Sequence, residues 1–152
     1  ASDVYKRQGI YHGFRRLYEA GLTTRLPRLL AVQAEACAPI FQAFVEGRES
    51  IATHESAPTI ARSIAIPYPA RGSQVLAAVR ATGGIIASVS EAQILAAHHQ
   101  LANLGFYVEE TAAVSLAALS DLWDSLNDLS KEPIVVPQTG HGLKTSSVYG
   151  HG

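Results

Sequence analysis

The sequence predicts an α/β domain in three layers, a largely parallel sheet flanked by helices. Three observations carry that prediction. Leu29 to Val32, Ile85 to Val89 (broken only by Ser88) and Ile134 to Val136 are short apolar runs, the pattern of buried strands. The stretches between them carry apolar residues at helical spacing, with glycine or proline at the changes of period. Of 152 residues, 47% are hydrophobic and 16% charged, which suits a well-buried core and not a disordered chain.

Taken in order, Ile10, Phe14, Leu17 and Tyr18 share one face of a first helix that Gly21 can close. Pro27 leads into the first strand. A second helix follows Pro39, holds Ile40, Phe41, Phe44 and Val45, and stops at Gly47. Arg48 to Pro58 is polar and aperiodic, so it reads as an exposed loop, while Thr59 to Ile66 fits helix or strand. Pro67, Pro69 and Gly72 make a turn, and Ser73 is placed to cap a helix with Val75, Leu76 and Val79 that ends at Gly83-Gly84.

After the strand Ile85 to Val89, Ser90 with Gln93 three residues on forms a capping box, and Glu91 suits the positive end of a helix. That helix carries Ile94, Leu95, His98, Leu101 and Ala102 and ends near Gly105. A further helix from about Ala112 is expected to turn Leu116, Leu119, Leu122, Trp123 and Leu126 to the core. Ile134 to Val136 is the last expected strand, and it runs into the turn Thr139-Gly140-His141-Gly142.

Several function classes drop out. Twelve basic against thirteen acidic residues leave a net charge of −1, so no basic field is offered to nucleic acid or an anionic membrane. No apolar run reaches the roughly 18 to 20 residues that span a bilayer, and Ala1 to Gln8 has no apolar signal core; the expected location is cytoplasmic. The lone Cys37 excludes an intrachain disulfide and a cysteine-only metal cluster. It reads as a buried structural thiol or as one acidified at a helix start. His12, His54, His98, His99, His141 and His151 lack metal-ligand spacing, so no metal site is expected. His98 and His99, being adjacent, face different ways and read as surface and half-buried decoration of their helix. No phosphate loop or Gly-x-Ser-x-Gly elbow occurs, and Gly9 and Gly13 are too sparse for a dinucleotide fingerprint.

The ends read differently from the middle. There is no methionine, which points to an incomplete translation product. Residues 1–8 are polar and without helical periodicity; they read as a foreign or disordered tail similar to translated sequencing-adapter DNA, or as an ordinary frayed terminus. Residues 146–152 form a polar, glycine-rich tail, which leaves 9–145 as the folded part.

In a parallel sheet, ligands collect at the carboxyl ends of strands. The segments of interest are those after Val136, after Val89 and around Val108 to Thr111. Thr139 to Lys144 is the most distinctive: an apolar run ends in a hydroxyl residue and two glycines, which allows a close backbone approach to a ligand. A tight turn with Thr139 bonding its own backbone explains the same residues.

The order of several segments adds to this. They are Pro27 to Glu35 with Ala38-Pro39-Ile40, Thr59-Ile60-Ala61 with Ser63-Ile64, Val89-Ser90-Glu91 with Ile94, Val108-Glu109 with Ala112-Ala113 and Ser115, and Thr139-Gly140-His141-Gly142-Leu143-Lys144. In that order they resemble the C-terminal half of the threonine synthases, pyridoxal-phosphate enzymes of fold type II (the tryptophan-synthase-β fold). The likeness runs from about Gly9 to Lys144, and the last motif is its most specific part.

The resemblance implies that residues 9–145 are the C-terminal part of a pyridoxal 5'-phosphate-binding large domain. Thr139 would set its hydroxyl beside the pyridine nitrogen, Gly140 and Gly142 would keep the backbone clear of the ring, and Glu109 would face the cofactor. Glu110 stands where the family has proline, which puts the geometry of that loop in question. No catalytic residue is expected, because the Schiff-base lysine of a Ser-Phe-Lys-Asp type segment and the phosphate-cradling loop are both absent; Lys6, Lys131 and Lys144 lack that context. The implied parent is a homodimeric lyase converting O-phosphohomoserine and water to threonine and phosphate, of which this chain is a fragment inactive alone. An open strand edge would then make it poorly soluble by itself. Two alternatives stand beside this: a fragment of threonine dehydratase or a related ammonia-lyase, and a non-catalytic α/β binding module or split-enzyme subunit.

Overall fold

The structure is a computed structural model that describes residues 2–52, 55–123 and 133–144. Strand β1 (Leu30–Ala34) and strand β2 (Ile85–Val89) pair in parallel, from Leu30 opposite Ile85 to Ala34 opposite Val89. Between them run helices α2 (Pro39–Val45) and α3 (Gly72–Ala81), the crossover a parallel pair requires. Ala31 and Ile86 pack on Ile40, Ala43, Val75 and Val79 of those helices. On the other face, Val32, Ala34 and Val89 pack against helices α4 (Glu91–Asn103) and α5 (Glu110–Leu122) through Ile94, Ala97, Ala113 and Ala117. Both strands thus meet helices on both faces, which is why they are mostly apolar, with Gln33 in β1 and Ser88 in β2 the polar exceptions.

Two caps place the helices. Ser90 Oγ accepts the Gln93 N–H at 3.3 Å while Gln93 Oε1 accepts the Ser90 N–H at 2.6 Å, the expected capping box at the carboxyl end of β2. The start of α2 has no side-chain cap of its own. Gln33, buried in β1, fills that need by accepting the N–H groups of Ile40 and Phe41 through one oxygen, each at 2.9 Å.

The structure corrects several expectations. Helix α1 (Ser2–Glu19) begins at Ser2, well ahead of the apolar face from Ile10, and Gln8 is buried. Its Nε2 donates to Gln74 Oε1 at 2.5 Å, and its Oε1 accepts from Arg71 Nη1 at 3.0 Å, so α1 is tied to α3. The apolar face of α1 is only half covered, with Phe14 40% and Tyr18 49% exposed. Ser73 is not a cap: α3 starts a residue earlier, after Arg71, because the Pro69 carbonyl already accepts the Gly72 N–H at 2.9 Å. Thr59 to Ile66 holds a single 3₁₀ turn, Arg62–Ile64.

Two further corrections concern the C-terminal part. The buried face of α5 is made of Ala112, Ala113, Val114, Ala117, Ala118 and the expected Leu119, whereas Trp123 is 59% exposed and not in the core. Small residues let α4 and α5 pack closely, and Leu116 and Leu122 pack at the margin of that contact, as expected, partly buried. Leu126 lies outside the described residues, as do Lys131 and the tail 146–152. Ile134 to Val136 is not a strand, because it has no hydrogen-bonded neighbour among the described residues; Val135 is 82% exposed.

That extended segment faces the open edge of β1 across a groove of about 350 Å³. Leu30, Ala31 and Val32 form one wall and Ile134 to Pro137 another, while Val79 of α3 and Leu119 of α5 reach it from the two faces of the sheet. Among the described residues no strand occupies that edge.

Cys37 is fully buried beside the start of α2, as a structural thiol would be. Burial pushes its pKa above the ordinary 9.0, outweighing a backbone hydrogen bond from Ile66 that acts the other way. The unfolded chain therefore releases this proton first as pH rises. Stability from this group is intact below 9.0 and declines as pH climbs above it. Urea melts at increasing alkaline pH should show wild type losing stability faster than Cys37→Ala.

Candidate functional site

The distinctive turn of the sequence and the Val108-Glu109 segment meet in the structure. Val108 and His141 form an isolated antiparallel bridge. The Glu109 N–H donates to the Gly140 carbonyl at 3.0 Å, and the Gly142 N–H donates to the Tyr107 carbonyl at 3.1 Å. Gly142–Lys144 then closes as a 3₁₀ turn, with the Lys144 N–H on the His141 carbonyl at 3.1 Å. The His141 ring is held twice, by the Leu143 N–H on its Nδ1 at 3.2 Å and by the edge-on ring of Tyr107 at 5.4 Å between centroids.

Both glycines are buried, and each has a definite neighbour. A Cβ on Gly140 would fall on the Glu109 side chain, and one on Gly142 would fall on the Tyr107 ring. Packing within the chain is therefore enough to require glycine at both places, whatever lies beyond the turn. Glu109 itself is buried, and its carboxylate is met by Lys144 Nζ at 3.3 Å from an exposed side chain. A buried carboxylate is costly without such a partner. Lys144 thus clips the end of the turn to the base of α5.

Glu109 is also the N-cap of α5, with extended backbone (φ −73°, ψ 156°), and its carbonyl accepts the Ala112 N–H at 2.9 Å. Glu110 is therefore the first residue of the helix, a position where proline is favoured and an acidic side chain meets the positive helix end. Glutamate in place of the family's proline is accommodated there.

Other segments singled out in the sequence also come together in pairs. Glu91 Oε2 accepts the Ile60 N–H at 2.9 Å, which joins Thr59-Ile60-Ala61 to the start of α4. Gln33 joins its own turn to Pro39-Ile40. Thr139 stands apart: it is exposed, and its hydroxyl bonds to none of the described residues, so it does not bond its own backbone there. Sequence reasoning missed the role of His98, whose Nε2 lies 2.9 Å from the Val108 carbonyl. Its signal was its place on the buried stripe of α4, between Ile94 and Leu101.

The family profile described as "Pyridoxal-phosphate dependent enzyme" matches residues 8–140. The chain belongs to that family. Among characterised relatives, threonine synthase of Methanosarcina acetivorans is 39% identical over 136 residues, 89% of this chain and 34% of the relative. Threonine synthase of Methanocaldococcus jannaschii is 33% identical over the same coverage, 89% and 34%. This family member thus spans about a third of the relatives' length. Among solved structures it shares the fold of a threonine deaminase from T.th. (TM-score 0.56, 24% identity, 88% of this chain and 45% of that one). It also shares that of maize serine racemase (TM-score 0.54, 20% identity, 92% and 42%).

The family's cofactor can be tested against the residues present. Thr139 offers an exposed, neutral hydroxyl on a turn whose backbone is bonded to Glu109 and Tyr107, a group that can hydrogen-bond a polar atom of a ligand. Glu109 is committed to Lys144 and to Gly140, so it acts as a prop.

Proposed function

We propose that this chain is the cofactor-side, C-terminal piece of a threonine-synthase-like enzyme that converts O-phosphohomoserine and water to threonine and phosphate. The observation that carries the reading is the Thr139–Lys144 turn seated on Glu109, in a chain 39% identical to a threonine synthase. When bound, pyridoxal phosphate supplies an electron-withdrawing ring that weakens bonds at an amino acid's α-carbon and beyond. This chain's part is to hold and tune. The Thr139 hydroxyl is neutral, so it can bond the ring nitrogen without holding a proton there as a carboxylate would. Gly140 and Gly142 set the height of that hydroxyl, and Glu109 with Lys144 keeps the turn closed.

The lysine required for covalent attachment belongs to sequence outside this chain in this reading. Such a lysine needs a desolvated pocket. Lys144 is largely exposed and engaged with Glu109, and so serves the turn instead. The open edge of β1 and the groove beside it support the same reading, since they leave room for a further strand.

The chain mixed with pyridoxal phosphate and borohydride should gain no pyridoxyl group at Lys144 by mass spectrometry; a stoichiometric adduct there would defeat the assignment. Reading the flanking DNA should reveal an in-frame Ser-Phe-Lys-Asp-like segment upstream. A stop codon and a start codon bounding this chain would instead favour a binding module or split subunit. The structural likeness to threonine deaminase favours a second reading, a threonine dehydratase. The full-length parent separates the two by releasing phosphate from O-phosphohomoserine or 2-oxobutanoate from threonine. Cytoplasmic location and a homodimeric parent belong to the same proposal.

A further inference from the structure

The bridge between Val108 and His141 has a directional consequence. In this pairing the cross-strand bonds are made by the flanking residues, from Glu109 N–H to Gly140 and from Gly142 N–H to Tyr107. The N–H and carbonyl of Val108 itself therefore point away from His141. In a wider sheet a third strand would take them. Here a side chain meets the carbonyl: His98, from α4, brings Nε2 to 2.9 Å from the Val108 oxygen. A carbonyl only accepts, so the proton is on Nε2.

His98 is well placed to act as an anchor. Its neighbours on the stripe, Ile94 and Leu101, are buried in the core, and Val108 is buried as well. The start of α4 is fixed by the Ser90–Gln93 capping box at the carboxyl end of β2. A continuous path runs from the sheet through α4 and His98 to Val108, and from there across the bridge to Gly140 and Gly142. Beside it, Glu109 joins the turn to α5 through its backbone, and the other side-chain route, the Lys144–Glu109 pair, ends on an exposed ammonium. Exposed ion pairs hold geometry weakly.

We propose that His98 is a positioning residue that fixes the Gly140–Gly142 turn to the sheet by donating to the Val108 carbonyl. Its meaning for a cofactor rests on the proposed function; its mechanical role does not. His98 touches no reacting atom in this role. It sets where Thr139 stands.

The test is residue-resolved amide hydrogen exchange on the full 152-residue chain at micromolar concentration. Leucine at 98 removes the donor, whereas glutamine restores an N–H of similar reach. In His98→Leu the Glu109 and Gly142 amides should exchange about tenfold faster, the loss of one hydrogen bond's protection. In His98→Gln they should stay close to wild type. The Ile85 amide, which donates to Leu29 at 2.9 Å, should be unchanged in both.

Unchanged rates in His98→Leu, equal acceleration at Ile85, or no rescue by glutamine would each overturn the proposal. Adding pyridoxal phosphate and following the Thr139 to Gly142 amide resonances tests the functional reading separately. A turn that loosens in His98→Leu yet never responds to pyridoxal phosphate keeps the anchor and defeats that reading. A turn that responds without loosening defeats the anchor alone.

Discussion

Gly140→Ala should open the turn and destabilise the chain by about 1–3 kcal/mol. The new methyl group would fall on the Glu109 side chain. Glu109 has little freedom to yield, because its side chain is buried and its backbone is fixed by its own N–H on Gly140 and by the start of α5. Displacing it breaks the bond that closes the turn and moves the residue before it, Thr139. A double-mutant comparison isolates the cause. With Glu109→Ala the clash disappears, so the double variant should be less destabilised than the sum of the singles. Urea melts followed by circular dichroism measure the stability terms. Gly13→Ala is the control: Gly13 lies in α1 with open space around it, so alanine there should be neutral or stabilise by up to about 1 kcal/mol. Equal behaviour of the two variants would refute the packing argument.

What could be read in the sequence was mostly what is decided locally. β2 spans Ile85–Val89 as the apolar run predicts, and the Ser90–Gln93 box forms because both partners lie within one turn. β1 and α2 were legible for the same reason, since Pro39 and Gly47 bracket the helix on either side. Ile134 to Val136 looks identical in kind, yet it is no strand, because a strand is defined by a partner and the pattern carries no information about one. Trp123 failed differently. Its leucine stripe has the right period, and Leu116, Leu119 and Leu122 do meet the core, but α5 ends at Leu122 and leaves the indole outside.

The candidate site was legible in part. A hydroxyl residue with two glycines announces a close approach, but it does not say to what. The neighbours turn out to be Glu109 and Tyr107, some thirty residues earlier, and only the fold could supply them. The same holds for Gln33 on α2 and Glu91 on Ile60, where each polar side chain satisfies backbone groups of another segment. Segments that resemble a family in order are thereby shown to be paired in space: one pair caps α2, one anchors the start of α4, and one forms the turn. The polar residues of these motifs hold the backbone in place, and Thr139 is left as the group presented outward.

The glycine pair at 83 and 84 should separate two reasons for glycine within two adjacent residues. The sequence reads both as a helix terminator. The structure divides the work. Gly83 has φ +59° with open space around it, so it ends α3 through its left-handed backbone. Gly84 has no such φ, but a Cβ there would fall inside the carbonyl oxygen of Leu29. That oxygen cannot retreat, because it accepts the Ile85 N–H at 2.9 Å, while the Leu29 N–H is held by Thr82 Oγ1 at 3.3 Å. Relief requires the backbones leading into β1 and β2 to part. Gly84→Ala should therefore cost about 3 kcal/mol and shift the whole unfolding transition, since it acts on the central sheet. Gly83→Ala should cost only about 1–2 kcal/mol of left-handed strain, and Gly83→Asn less, because asparagine tolerates that conformation. A Gly84→Ala chain that melts like wild type would show that the two strands approach less closely than this. A Gly83→Asn chain as damaged as Gly84→Ala would show that both glycines serve close packing and neither serves the turn.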